Sequence, residues 1–168
     1  MVIRFMAESD DLLVLSDIYE QSWKFAYRGI IPQAFFDSIP SGRWADSFTR
    51  ETLKTLCLLE NQRIVGTASI CKSRWAEYPD FGEIVSIYLL PEVMGRGYGA
   101  QLLRRCVAEL RKMGHERILF WVLAENARAR RFYEKNGFSC ADVYREDNIG
   151  GRNLQEVMYH LNLRGNHD

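Results

Sequence analysis

Two periods of apolar residues alternate along the chain, and the changes between them mark out its elements. Residues 2–6 read as a short strand. Ser9 or Asp10 then caps a helix whose face is traced by Leu12, Leu15, Ile18, Tyr19, Ser22, Trp23 and Ala26, ending at Arg28-Gly29. Pro32 suits the first turn of a short helix around 33–38, and another helix is expected over 42–50. Leu53–Glu60 and Arg63–Cys71 are strand-type runs joined tightly at Asn61-Gln62. After a loop at 72–80, Phe81–Leu90 reads as a central strand. Strict alternation puts Glu83, Val85, Ile87 and Leu89 on one face and Ile84, Ser86, Tyr88 and Leu90 on the other.

Helical spacing returns over 98–113 through Leu102, Leu103, Cys106, Val107, Leu110 and Met113, and Gly114 stops it. The nearly continuous apolar run from Ile118 to Val122 is that of a strand covered on both sides. Asn126 caps a helix that ends at Gly137, and strands at 138–147 and 152–162 form a hairpin around Asn148–Gly151. Neither an internal repeat nor a low-complexity linker interrupts the series. One α/β domain over 1–163 is expected, with a polar tail at 164–168.

The chemistry starts between the central strand and the helix at 98. Pro91-Glu92-Val93-Met94-Gly95-Arg96-Gly97-Tyr98-Gly99 is a strand–glycine loop–helix junction, with glycines at alternate positions. Such a loop lets backbone N–H groups approach an anion, and the helix N-terminus that follows favours negative charge. The dinucleotide fingerprint requires a further glycine where Gln101 and Leu102 stand, and the P-loop's Gly-Lys-Ser/Thr is absent. A pyrophosphate cradle is the functional reading, and a tight turn without a ligand is the bland one.

Three other features carry two readings each. Ser22–Gly29 is dense in aromatic residues, which serve as core packing or as one wall of a pocket containing Trp23, Tyr27 and Arg28. Trp75 and Tyr78 either line a cleft from their loop or cover the surface. Glu83 sits at a solvated strand end or in a cleft, ready to take a proton.

Composition narrows the partners. With 22 basic and 22 acidic side chains the formal net charge is zero, which supplies no electrostatic footprint for nucleic acid or an anionic membrane. Cys57, Cys71, Cys106 and Cys140 form no Cys-x-x-Cys pair, and the three histidines lack ligand spacing, so no metal site is expected. The acidic residues soon after Met1 leave no room for a secretory apolar core, and Ile118–Ala124 is too short to span a bilayer. A cytoplasmic protein is expected.

A second motif, Asn126-x-x-Ala129-x-x-Phe132-Tyr133-x-Lys135-x-Gly137-Phe138, follows the glycine loop after one helix and one strand. With both motifs in this order, the chain resembles the GCN5-related N-acetyltransferase (GNAT) superfamily over nearly its whole length. The resemblance implies a mixed, mostly antiparallel sheet of about seven strands flanked by helices, its central strands splayed around an acetyl-CoA cleft. It implies that backbone groups of Tyr88, Leu89 and Leu90 pair with the pantetheine and that Met94, Gly95, Arg96, Gly97, Tyr98, Gly99 and Ala100 hold the pyrophosphate. Asn126 would contact the pantetheine arm, and Tyr133 matches the family's general acid. Met94 stands where the family usually carries arginine or glutamine, and Arg96 is a candidate replacement.

Acetyl transfer to an amine needs a proton acceptor, because a protonated amine cannot attack a carbonyl. Glu83 is the nominee, or a water that it orders, and a backbone N–H near Leu89 would polarise the acetyl carbonyl. No cysteine lies in the motifs beside a histidine, which favours direct transfer in a ternary complex over an acyl-cysteine. A small-molecule amine such as a polyamine, amino acid or amino-sugar is the favoured acceptor, with a peptide N-terminus as the alternative. A non-catalytic acetyl-CoA-binding module is the competing class. Oligomeric state stays open, a homodimer being common in the family.

Overall fold

The computed structural model describes residues 1–164. Its centre is a seven-stranded sheet in the order β1-β2-β3-β4-β5-β7-β6, in which β1 is Val2–Phe5, β2 Lys54–Glu60 and β3 Arg63–Lys72. The remaining strands are β4 Gly82–Leu89, β5 Arg117–Leu123, β6 Ser139–Ile149 and β7 Arg152–Asn162. Every neighbouring pair is antiparallel except β4 and β5. The helices are α1 (Leu12–Ala26), α2 (Gln33–Ser38), α3 (Tyr98–Lys112) and α4 (Ala127–Lys135).

Most expected elements form where their periodicity places them, and the exceptions have physical reasons. Asp11, not Ser9 or Asp10, caps α1, its carboxylate accepting from Leu13 N at 2.8 Å. Asp10 is already committed to Arg4 and to Ala7 N. The helix expected over 42–50 is reduced to a 3-10 turn at Ala45–Thr49. Gly42 has φ +77° and Trp44 N donates to Ser16 Oγ of α1, so tertiary contacts hold the start of this segment. The β2–β3 connection has Asn61 and Gln62 both at positive φ, as a two-residue hairpin requires.

The alternation expected along β4 is shifted by one residue. Ser69 of β3 pairs with Ser86 while Ile70 pairs with Ile84, leaving Val85 as a bulge. Gly82 therefore faces Leu110 of α3, and Glu83 lies on the opposite side, the side from which Ser86 and Tyr88 meet Tyr19 of α1. Ile84, Ile87 and Leu89 pack toward the α3 core. One extra residue thus carries Glu83 from the Ile87 face to the Tyr88 face.

The main core lies between the sheet and α3, with Leu102, Leu103, Cys106 and Leu110 against Ile70, Ile84, Ile118 and Phe120. A separate cluster of Ile31, Phe36, Leu123 and Leu154 fastens the α1–α2 segment to the β6–β7 hairpin. Arg152 Nη1 donates to Ile30 O at 2.6 Å beside it. No described helix is long and apolar enough to cross a membrane.

Candidate active site

The site exists because β4 and β5 part company. Their parallel pairing is confined to Gly82–Ile118 and Glu83–Leu119. Beyond Glu83 the β5-facing edge of β4 has no strand partner among the described residues, and polar backbone left this way needs a ligand or water. The opening is a cleft of about 570 Å³ bounded by α1, β4, β5, the glycine loop, α4 and the β6–β7 hairpin.

At one end, Met94, Gly95, Gly97, Gly99 and Ala100 line the cleft. Gly97 is the N-cap residue of α3 at φ +79°, and Gly95 has φ +82°. No atom lies within 4 Å of a Cβ built at either, so these two glycines serve backbone conformation and open access. Gly99 does something else: a Cβ there would sit 3.4 Å from the Phe132 ring and 3.5 Å from Leu89. Its bareness lets α3 begin against α4 and β4. The first N–H groups of α3 therefore face an open cradle suited to a phosphate.

Arg96 and Tyr98 point away from that cradle. Both reach Glu60 of β2, Arg96 Nη1 at 3.3 Å and Tyr98 through its hydroxyl. The cation beside Met94 comes instead from α4, where Arg128 Nη2 lies 3.4 Å from Met94 Sδ and the guanidinium covers the Phe25 ring at 4.9 Å.

Asn126 and Tyr133 enter from α4. Asn126 Oδ1 caps the helix by accepting from Ala129 N at 3.1 Å, and its Nδ2 donates to no described residue. The Tyr133 ring is packed 4.1 Å from Phe120, while its hydroxyl likewise makes no hydrogen bond among the described residues. Burial pushes its pKa well above that of an ordinary tyrosine, so the O–H stays protonated at neutral pH. Tyr159 steadies this helix: its hydroxyl takes Arg130 Nε at 3.0 Å and reaches Glu134 Oε1 at 2.6 Å. Those two partners flank Tyr133 along α4.

Tyr88 and Leu89 line the cleft, whereas Leu90 does not; it is buried, and its N–H is spent on Val65 O at 2.9 Å. Trp23 Nε1 donates to Tyr88 Oη at 3.0 Å and Tyr27 packs edge-on to Trp23, so both line the wall from α1. Arg28 is exposed outside the cleft, and Tyr78 packs on Phe81 away from it.

At the far end Trp75 does enter the cleft, together with residues that the sequence pattern did not single out. Glu83 takes Arg74 Nη2 at 2.6 Å and Trp75 Nε1 at 3.2 Å. Trp75 and Trp121 lie 5.3 Å apart between centroids, and the Arg145 guanidinium sits 4.4 Å from one ring and 5.1 Å from the other. Arg145 in turn pairs with Glu156 across the β6–β7 ladder. No group of three metal-ligating side chains occurs among the described residues.

Residues 15–138 match the model of the acetyltransferase (GNAT) family. The chain is 28% identical to an uncharacterised N-acetyltransferase, YuaI of Bacillus subtilis, over 90% of this chain and 87% of that protein. It is 33% identical to the ribosomal protein bS18-alanine N-acetyltransferase of Haemophilus influenzae, covering 64% of this chain and 72% of that one. Identity of 37% to the mycothiol acetyltransferase of Beutenbergia cavernae spans half of this chain but only 29% of that longer protein. Among solved structures, PaiA N-acetyltransferase of Thermoplasma acidophilum, crystallised with coenzyme A, superposes with a TM-score of 0.76 at 21% identity, covering 96% and 99% of the two chains. The splayed seven-stranded sheet is accordingly the GNAT fold, and the chain belongs to the GNAT family of acetyltransferases.

Proposed function

We propose that this protein moves the acetyl group of acetyl-CoA to a primary amine by direct attack in a ternary complex, in the cytoplasm. Acetyl-CoA is the donor, and one observation carries its fit: the unpaired edge of β4 runs into an open glycine cradle at the N-terminus of α3. The β4 backbone at Tyr88 and Leu89 would take the pantetheine as an added strand, with the free Asn126 amide beside it. Leu90 leaves this set because its N–H is committed to Val65 O, and Arg96 and Tyr98 would serve it through backbone N–H groups alone, their side chains being held by Glu60.

Tyr133 is the acid. Its unbonded hydroxyl, kept protonated by burial, suits transfer of a proton to the departing thiolate. A carboxylate at the far end serves the amine; Glu83, the sequence nominee, is one of three that line it, with Asp147 and Glu156.

A small-molecule amine is the favoured acceptor, because the far end is walled on two sides. Trp75 and Trp121 close on Arg145 along one side, and the hairpin is fastened to the α1–α2 segment on the other. A peptide N-terminus is the second reading, supported by the likeness to the bS18-alanine acetyltransferase. Release of coenzyme A thiol with spermidine, glucosamine, lysine and an alanine-initiated peptide separates them. The expected result is turnover with at least one small amine and little with the peptide. Tight acetyl-CoA binding without turnover of any would leave only a binding module. Sedimentation at assay concentrations tests the homodimer common in the family.

A further inference from the structure

Three carboxylates line the acceptor end of the cleft; Asp147 is exposed, and the two that are not, Glu83 and Glu156, employ their oxygens differently. Glu83 Oε1 accepts from Arg74 Nη2 and Trp75 Nε1, and its Oε2 from Arg74 N at 3.0 Å and Arg74 Nε at 3.1 Å. An ionised carboxylate offers about four acceptor positions. Four donors fill those of Glu83, and a proton could arrive only by displacing one of them.

Glu156 keeps an oxygen in reserve. Both Arg145 contacts fall on its Oε2, and Oε1 makes no hydrogen bond among the described residues without being sealed from the cleft. The residue stands on β7 opposite Leu123, at the end of β5, and its side chain lines the cleft at 14% exposure. Arg145 is held in place between Trp75 and Trp121, which keeps it on Oε2.

We propose that Glu156 removes the proton from the acceptor's ammonium group, while Glu83 is a positioning residue that holds Arg74 and Trp75 at the mouth of the acceptor end. The inference rests on the acetyl-transfer reading above.

The charged and titratable groups around Glu156 come from every neighbouring element. β6 contributes Arg145 and Asp147, α1 Tyr27, the β3–β4 loop Arg74 in its pair with Glu83, and α4 Tyr133. Burial raises the Glu156 pKa, Arg145 opposes the rise and Asp147 adds to it, the net direction being upward. A carboxylate whose pKa is raised is a stronger base than an exposed one. Glu156, Tyr27 and Tyr133 all line the same cleft, so base and acid open on one cavity.

The step balances as follows in bonds and protons. Glu156 Oε1 takes one proton from the ammonium, and the freed nitrogen lone pair forms the N–C bond at the thioester carbonyl. The C–S bond breaks, the thiolate sulfur receives the Tyr133 proton, and the tyrosine oxygen recovers a proton from the amide-forming nitrogen. Glu156 then returns its proton to solvent, one per turnover.

The experiment compares pH profiles of kcat/KM for the most active amine of that panel, at saturating acetyl-CoA, in wild type, Glu156→Gln, Glu156→Asp and Glu83→Gln. The wild-type rate should rise through the titration of Glu156 and level off. Glu156→Gln should be slower by about 100-fold or more near neutral pH. Its rate should climb about tenfold per pH unit toward the amine's own pKa, near 10. Glu156→Asp should recover part of the rate with the wild-type shape, and covers the case in which the glutamine variant does not fold. Glu83→Gln should keep that shape while KM for the amine rises. A wild-type profile in Glu156→Gln, or in Glu156→Asp no difference from wild type in rate, overturns the assignment, as does loss of the acid limb in Glu83→Gln instead. Wild type that binds acetyl-CoA but acetylates none of the panel removes the acetyl-transfer reading itself, and this one with it.

Discussion

At the scale of single residues, Met94 poses the sharpest question, because a thioether cannot give a phosphate the contact that arginine or glutamine gives it. Arg128 is placed to supply that contact from the first turn of α4, where it lies against Met94 Sδ and the Phe25 ring. A partly exposed charge-assisted contact to phosphate is worth roughly 1–1.5 kcal/mol. Arg128→Ala should therefore raise the dissociation constant of acetyl-CoA about five- to tenfold with kcat nearly unchanged, measured by titration calorimetry and steady-state kinetics. An unchanged constant would leave phosphate binding to the α3 backbone alone. Tyr133→Phe should do the reverse, lowering kcat by about 100-fold where chemistry limits the rate while leaving acetyl-CoA affinity in place. That Tyr133 and Asn126 share one capped helix was legible in the sequence, while the roles proposed for them came from the family resemblance. Arg145 and Glu156 were not legible, since they meet only across a hairpin whose register slips between Cys140 and Tyr144, with Asp142 at positive φ. Arg74 stayed hidden for a similar reason: its pairing with Glu83 depends on which face the β4 bulge presents.

At the scale of elements, apolar periodicity located the strands and the three longer helices, because each has a face that must be buried. It failed where one residue changed the count. Nothing in Glu83–Leu89 announces the bulge at Val85, because β-branched residues suit regular and bulged strands alike. The segment at 42–50 failed differently, through a tertiary hydrogen bond that outweighed local propensity. The β6–β7 turn offers a direct test of how elements close the acceptor end. Gly150 has φ +62°, and a Cβ there would lie 2.6 Å from Phe35 Cβ and 3.0 Å from its Cγ. Gly150→Ala adds backbone strain to a steric conflict with α2, at a cost of about 1–3 kcal/mol. The expected result is a Tm lower by several degrees together with a higher KM for the amine and an unchanged KM for acetyl-CoA. Parallel losses in both KM values would mean that the hairpin supports the whole cleft rather than its acceptor end.

At the scale of the whole molecule, the route of the acetyl group depends on whether any thiol can carry it. Burial pushes the thiols of Cys57 and Cys106 up to about 12, and that of Cys71 up to about 11. An unperturbed cysteine near 8.5 is a few per cent thiolate at neutral pH; a thiol raised by about three units is a thiolate roughly a thousandth as often. All three are also buried, Cys57 and Cys71 on strands of the sheet and Cys106 on α3, and the partly buried Cys140 lies outside the cleft. Under native conditions iodoacetamide should therefore modify Cys140 well ahead of the other three, and all four only after denaturation, as mass spectrometry would count. The same chemistry dictates the steady-state pattern. Without a nucleophile to hold the acetyl group between substrates, both substrates must be bound before transfer, so reciprocal plots at varied acetyl-CoA and amine should intersect. Parallel lines, or an acetylated protein recovered after mixing with acetyl-CoA alone, would require a covalent carrier and overturn direct transfer. The architecture favours the intersecting pattern, because the unpaired edge of β4 brings the donor's channel and the acceptor's pocket into one continuous cleft. There the amine would reach the thioester without an intermediate station.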